Sequence, residues 1–129
     1  MPGRRLISTG SPFEKSWGYS RAVIDEPLAF VAGTTGYDYA TMTMPEDVKD
    51  QARNCWRTIA KALEEGGFSL ADTVRVTTYV THSDYQLPVL DAQGEVLADI
   101  RPAATIVVVA ALAKSEMKVE IEVTAKRRS

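Results

Sequence analysis

A chain of 129 residues, 45% hydrophobic and 25% charged, is long enough for one core and short for two. Fifteen basic against 17 acidic residues leave a formal net charge of −2, which is not the basic excess of a dedicated DNA-binding protein. Its one cysteine, Cys55, excludes an internal disulfide, and with one histidine, His82, leaves too few soft ligands for a zinc or iron site.

No stretch approaches the roughly 20 apolar residues that cross a bilayer. The start Met1-Pro2-Gly3-Arg4-Arg5 lacks the apolar segment of a signal peptide, so a cytoplasmic protein without membrane association is expected. With no linker, low-complexity tract or repeat, residues 1–129 read as a single domain.

The first third predicts short strands. Arg4 to Ser8 is an edge strand, and Tyr19 to Asp25 and Leu28 to Thr34 flank a turn at Glu26-Pro27. Gly33 follows Phe30, Val31 and Ala32. It marks either a strand end or bulge, or a place where a ligand or neighbouring chain comes close to bare backbone.

A helix follows. Thr43 and Glu46 fit a capping box with Pro45 in the first turn. Val48, Ala52, Cys55, Trp56, Ile59 and Leu63 recur at helical spacing, and Gly66-Gly67 supplies a left-handed stop. The period then changes to two: Val74, Val76, Thr78 and Val80 point one way, Arg75, Thr77, Tyr79 and Thr81 the other.

A second helix is expected from Pro88 to Ala98 with Val89, Val96 and Leu97 inward. Gly94 weakens it by about 1 kcal/mol relative to alanine. Thr105 to Leu112 is apolar on both faces and predicts a central strand. Met117 to Ala125 alternates strictly, with Lys118, Glu120, Glu122 and Thr124 sharing the polar face.

This order predicts an α+β fold, a mixed sheet of about six strands with two helices on one face. The second face then needs cover that this chain does not supply. Self-association is the simplest source of it.

The ordered set Arg101-Pro102-Ala103, Val107-Val108-Val109-Ala110 and Lys118-Val119-Glu120-Ile121-Glu122-Val123 resembles the signature of the RidA/YjgF family. Gly18-Tyr19, Ala32-Gly33-Thr34, and Thr77-Thr78-Tyr79-Val80 followed by Asp84-Tyr85 extend the likeness over nearly the whole chain. The resemblance implies a chorismate-mutase-like fold and a homotrimer with clefts between subunits. It also implies hydrolysis of reactive enamines and imines, such as 2-aminoacrylate, to a keto compound and ammonia, without a cofactor or metal.

By the same resemblance Glu120 holds the attacking water and shuttles protons, while Tyr19, Gly33 and Thr34 contact the small-molecule substrate. Taken alone, Glu120 reads as a solvated strand position and Tyr19 as an interface aromatic. The family's carboxylate-gripping arginine stands two positions after the proline, where this chain has Ala104. Arg101, Ala103, Ala104 and Thr105 are the substrate-binding segment, with Arg101 the tempting substitute clamp. On a continuous strand, however, its offset of three from Ala104 points it to the opposite face. Relatives without that arginine form separate subgroups in which deamination of small imino acids is generally absent or unproven.

Cys55 reads as a core thiol and His82 as a surface residue. Arg4-Arg5 and Lys126-Arg127-Arg128 read as solvated tails, with no aromatic set arranged beside them for RNA. Three functions remain in view: a hydrolase with an altered substrate clamp, a non-catalytic small-molecule-binding trimer, and an RNA-acting protein.

Overall fold

Alternating apolar residues from 117 to 125 set the frame. In the computed structural model, which describes residues 3–128, they form the third strand in from one edge of a six-stranded sheet. The strands are β1 (Arg5–Ile7), β2 (Ala22–Asp25), β3 (Leu28–Thr35), β4 (Thr73–Val80), β5 (Ala103–Val108) and β6 (Val119–Lys126). Their order across the sheet is β1-β2-β3-β6-β4-β5, antiparallel except for the parallel pair β4–β5.

Two long helices, α2 (Val48–Glu65) and α3 (Gln86–Leu97), pack on one face as the α+β reading expects. The α2 stripe of Ala52, Cys55, Trp56, Ile59 and Leu63 meets Val76, Val80, Val119, Ile121 and Val123 of the sheet. Truncating Ile59, which is wholly buried, to alanine would cost about 2–5 kcal/mol.

A short helix, α1 (Pro12–Trp17), interrupts what the sequence presented as strands only. Ser11 caps it by accepting from the Phe13 N–H, proline opens it, and Gly18 closes it at φ +71°. The start of α2 also differs from expectation. Thr43 lies in an isolated bridge with Asp38 and shares a hydrogen bond with the Thr41 hydroxyl. Asp47 is the true cap, accepting from the Asp50 N–H, so the helix begins at Val48. Gly67, at φ +81°, supplies the left-handed stop.

Three strand and helix details are corrected. Val74 does not share the buried face with Val76, Thr78 and Val80. A register shift between Thr73 and Arg75 turns it out, 45% exposed. Val96 likewise lies outward on α3, at 37%.

The larger correction concerns β5. It was expected at the centre of the sheet, spanning Thr105 to Leu112. It is instead an edge strand that ends at Val108 and pairs only with β4. Its apolar outer residues, Val107 at 38% and Val108 at 48% exposed, have no cover from this chain.

The sheet face opposite the helices is open. It carries Phe30, Thr77, Tyr79, Glu120, Glu122 and Thr124, and Tyr79 donates to Glu122 at 2.8 Å. Among the described residues no helix is long and apolar enough to cross a membrane.

Candidate functional site

The site residues assemble around a fault in the β3–β6 ladder. Val31 pairs with Val123, but the next registered pair is Thr34 with Ile121. The extra residue makes a bulge at Ala32-Gly33, opposite the polar face of β6. A side chain at Gly33 would overlap Glu120 Oε2 and stand 2.9 Å from its Cδ. Of the two readings of this glycine the bulge is the one seen, and its bare backbone is approached by Glu120's own carboxylate. Burial pushes the Glu120 carboxyl above the usual range, Glu122 beside it adds to the rise, and Arg21 opposes it.

Arg21 is the residue that the sequence did not disclose. It is 0% exposed. One guanidinium nitrogen donates to the Gly33 carbonyl at 2.9 Å and to the Thr34 hydroxyl at 3.0 Å, and the other donates to the Tyr19 hydroxyl at 3.3 Å. Its planar group sits over the Tyr19 ring at 5.5 Å and the Tyr39 ring at 5.0 Å. Thr34, also 0% exposed, donates onward to the Ala32 carbonyl at 2.8 Å. Within one chain its hydroxyl is thus committed to holding Arg21. Burial raises the Tyr19 phenol, and the Arg21 charge works against that rise.

Behind this layer Glu14 is buried in the first turn of α1. Burial opposes its ionisation, but hydrogen bonds from Thr9, 2.6 Å from the hydroxyl and 3.0 Å from the N–H, outweigh it and hold the carboxyl below its usual range. Cys55 is fully buried under the bulge, with its thiol donating to the Thr34 carbonyl at 3.2 Å. Burial pushes that thiol far up, which fits a core residue rather than a nucleophile.

The second set of predicted residues lies elsewhere. β5 is in parallel register with β4, so Ala104 sits beside the wholly buried Val76 on the helix side. Ala103 and Thr105 share the open face with Arg75 and Thr77. Two strand spacings and two residues along separate Thr105 from Glu120, roughly 12 Å in all.

Arg101 does not belong to the strand. At φ +58°, with its N–H bonded to the Leu97 carbonyl, it lies in the turn that ends α3, so strand alternation does not govern its direction. The structure therefore joins Tyr19, Gly33, Thr34 and Glu120 but leaves Arg101, Ala103, Ala104 and Thr105 apart, exposed or at the sheet edge.

On the open face a depression of about 580 Å³ runs from Tyr19 over Phe30 to Arg75, Thr77 and Glu122. A second cavity of about 350 Å³ lies between α2 and residues 37–40, and Glu120 lines neither of the two. Among the described residues no group of three His, Cys, Asp or Glu side chains is placed to hold a metal ion. His82 is exposed at the end of β4, and its Nδ1 accepts from the Asp84 N–H.

The basic ends are solvated, with the Arg4 and Arg128 side chains 71% and 76% exposed, but they make surface contacts. Arg127 lies 4.1 Å over the Phe68 ring and forks onto Glu26, Arg4 meets Asp25 at 3.3 Å, and Arg128 meets Asp72 at 3.6 Å. A stacked pair, Phe13 and Trp17 at 4.8 Å, stands apart from them on α1.

Comparison with known proteins places these observations. Residues 10–127 match the family model described as Endoribonuclease L-PSP. A solved structure of a YjgF/YER057c/UK114 family member from Mycobacterium tuberculosis has a TM-score of 0.89 and 39% identity, covering 97% of this chain and all of that one. An uncharacterized protein of Streptomyces coelicolor is 31% identical over 95% of this chain and 92% of its own length. A 2-iminobutanoate/2-iminopropanoate deaminase from Capra hircus is 28% identical over 95% of this chain and 89% of its own length.

Proposed function

The chain belongs to the endoribonuclease L-PSP family, the YjgF/RidA family, and on that premise we propose that it hydrolyses reactive enamines or imines in clefts between the subunits of a homotrimer. The observation that carries this reading is the Glu120 carboxylate, half-buried against the bare backbone of Gly33 and backed by Arg21. Relatives named as imine deaminases support the reaction class.

The chemistry follows from that placement. The Glu120 carboxylate accepts a hydrogen bond from water and takes its proton as the oxygen attacks the C=N carbon. Its raised proton affinity suits it to hold that proton and then deliver it to the nitrogen of the tetrahedral adduct. Glu120 then takes the hydroxyl proton of the adduct and passes it to the amine nitrogen, so that collapse breaks the C–N bond, releases ammonia and leaves the carbonyl. Tyr19, at the rim of the open-face depression, contacts the substrate through its hydroxyl.

Trimer formation is supported by the uncovered sheet face and by the unpaired outer edge of β5. It would also bring the 101–105 segment of one copy towards the Glu120 side of another.

Alanine at position 104 favours a second reading, a trimer that binds small molecules without turning them over. The RNA-acting reading has less support, because Arg4, Arg127 and Arg128 are already paired with carboxylates.

The test is release of keto acid and ammonia from freshly generated imines with aliphatic, aromatic and acidic side chains, comparing wild type with Glu120→Ala. Turnover lost in the variant is the expected result. Turnover that survives discards the role of Glu120, and no turnover on any imine moves the cleft to binding.

A further inference from the structure

Arg21 poses a question that its hydrogen bonds do not answer. A guanidinium with no exposed surface normally lies against a carboxylate, yet among the described residues none is within ion-pair distance of it, and its Nε has no partner at all. An unpaired buried cation costs several kcal/mol. Pinning Tyr19, Gly33 and Thr34 takes three donated hydrogen bonds, one more than a neutral amide could supply, but hydrogen bonding to neutral oxygens does not by itself call for a charge. The charge itself is what remains unexplained.

Its surroundings show where the charge is directed. The Tyr39 ring, Thr34 and the Gly33 carbonyl close three sides. On the fourth side stands the Tyr19 hydroxyl, on a residue that also lines the open-face depression. A phenol oxygen that accepts from a cation has its own hydrogen turned away from it, and that hydrogen becomes a better donor.

We infer that Arg21 is the positioning residue of this site: it turns the Tyr19 hydroxyl outward as a charge-assisted donor and makes the pocket choose anionic ligands although position 104 is alanine. Arg21 does not touch the ligand. It acts through Tyr19 and through its field, which Glu14 and Glu120 also feel.

The inference rests on the reading of this surface as a ligand cleft but not on turnover, and binding tests it. The probes are 2-oxobutanoate and its neutral counterpart 2-oxobutanamide, titrated calorimetrically into the full-length protein. Wild type is expected to bind the carboxylate about tenfold more tightly than the amide, and Arg21→Gln to bring the two within about twofold. Arg21→Gln should also change 2-oxobutanoate affinity far less in a Tyr19→Phe background, since the relay is already cut there. A merely structural arginine would weaken both ligands alike and show no coupling to Tyr19.

Equal affinities in wild type, no binding of either probe, or a preference that survives Arg21→Gln would each overturn the inference. If Arg21→Gln does not fold, Arg21→Lys carries the test. It keeps the charge without the fork, and a carboxylate preference lost in that variant overturns the proposal. Hydrolysis absent with the preference intact would remove the proposed reaction and leave this inference standing. Hydrolysis present without the preference would do the reverse.

Discussion

Two parts of the molecule carry the residues assigned to ligand contact, and they differ in how completely one chain builds them. Around the β3 bulge, Tyr19, Arg21, Gly33, Thr34 and Glu120 come from three strands or their approaches and are bonded or packed to one another. The 101–105 segment is a helix-ending turn running into an edge strand, exposed except for the half-buried Pro102. An antiparallel ladder with buried neighbours fixes the first part. The second has a partner on one side only. One half of the proposed site is therefore a property of the fold, and in the proposed trimer the other half would be completed by a neighbouring copy.

The strongest way to break this contrast is to prevent assembly without touching the first half. Val107 lies on the open face of β5, 38% exposed, with nothing of its own chain over it. Val107→Glu should leave the single chain folded but place a charge in each copy's contact surface. Light scattering should show a smaller species, and turnover should fall by about 100-fold or more as the two halves separate. Full activity from single chains would mean that the bulge region alone is the site.

A smaller effect is expected inside the first half. At Gly33→Ala the new methyl would displace the end of the flexible Glu120 side chain rather than backbone. Turnover should fall by about 100-fold at most, with stability changed by less than about 1 kcal/mol in chemical denaturation. Gly36→Ala is the informative contrast. There the methyl would stand 2.5 Å from Gln51 Cβ and 2.6 Å from Gln51 Cα, on the backbone of α2. The expected cost is about 2–3 kcal/mol of stability with Glu120 undisturbed.

The second half calls for a gain rather than a loss. Position 104 is exposed at the sheet edge, so Ala104→Arg should alter stability by no more than about 0.5 kcal/mol. If a carboxylate grip is all that is missing, kcat/KM on the imine of 2-oxobutanoate should rise by about tenfold. A folded Ala104→Arg protein that binds the keto acid yet gains no turnover would favour the binding reading.

The same contrast accounts for what the sequence made legible. Strict alternation placed Glu120 on the polar face of β6, and the α2 stripe identified the helix layer, because both patterns are local consequences of burial on one side. Thr105 to Leu112 misled because apolar residues on both faces suit a central strand, whereas here they lie on an edge strand with Val107 and Val108 exposed. Thr43 and Glu46 had the spacing of a capping box, but the Asp38–Thr43 bridge took Thr43 away and left Asp47 to cap.

Two features did carry a signal. Ser11-Pro12 followed by Gly18 is the punctuation of a one-turn helix. Tyr19 and Arg21, two apart on an extended segment, point the same way. Arginine's strong bias towards the surface hid the rest, because a buried, unpaired guanidinium is the last assignment that residue type invites.

The smallest expected effect bears on what the first half costs the fold. Because burial raises the Glu120 carboxyl above its unfolded value, the folded protein holds a proton there over a pH interval in which the unfolded chain has released it. Stability from this group is therefore complete below the unfolded value and is lost as pH rises through the raised folded value. Glu120→Gln keeps the shape of the side chain and removes its charge. The variant should match wild type at acid pH and exceed it at neutral pH, by about 1 kcal/mol in denaturant midpoints. Identical pH profiles for the two proteins would mean that Arg21 already compensates the buried carboxylate. The bulge would then hold its charge at no expense to the fold.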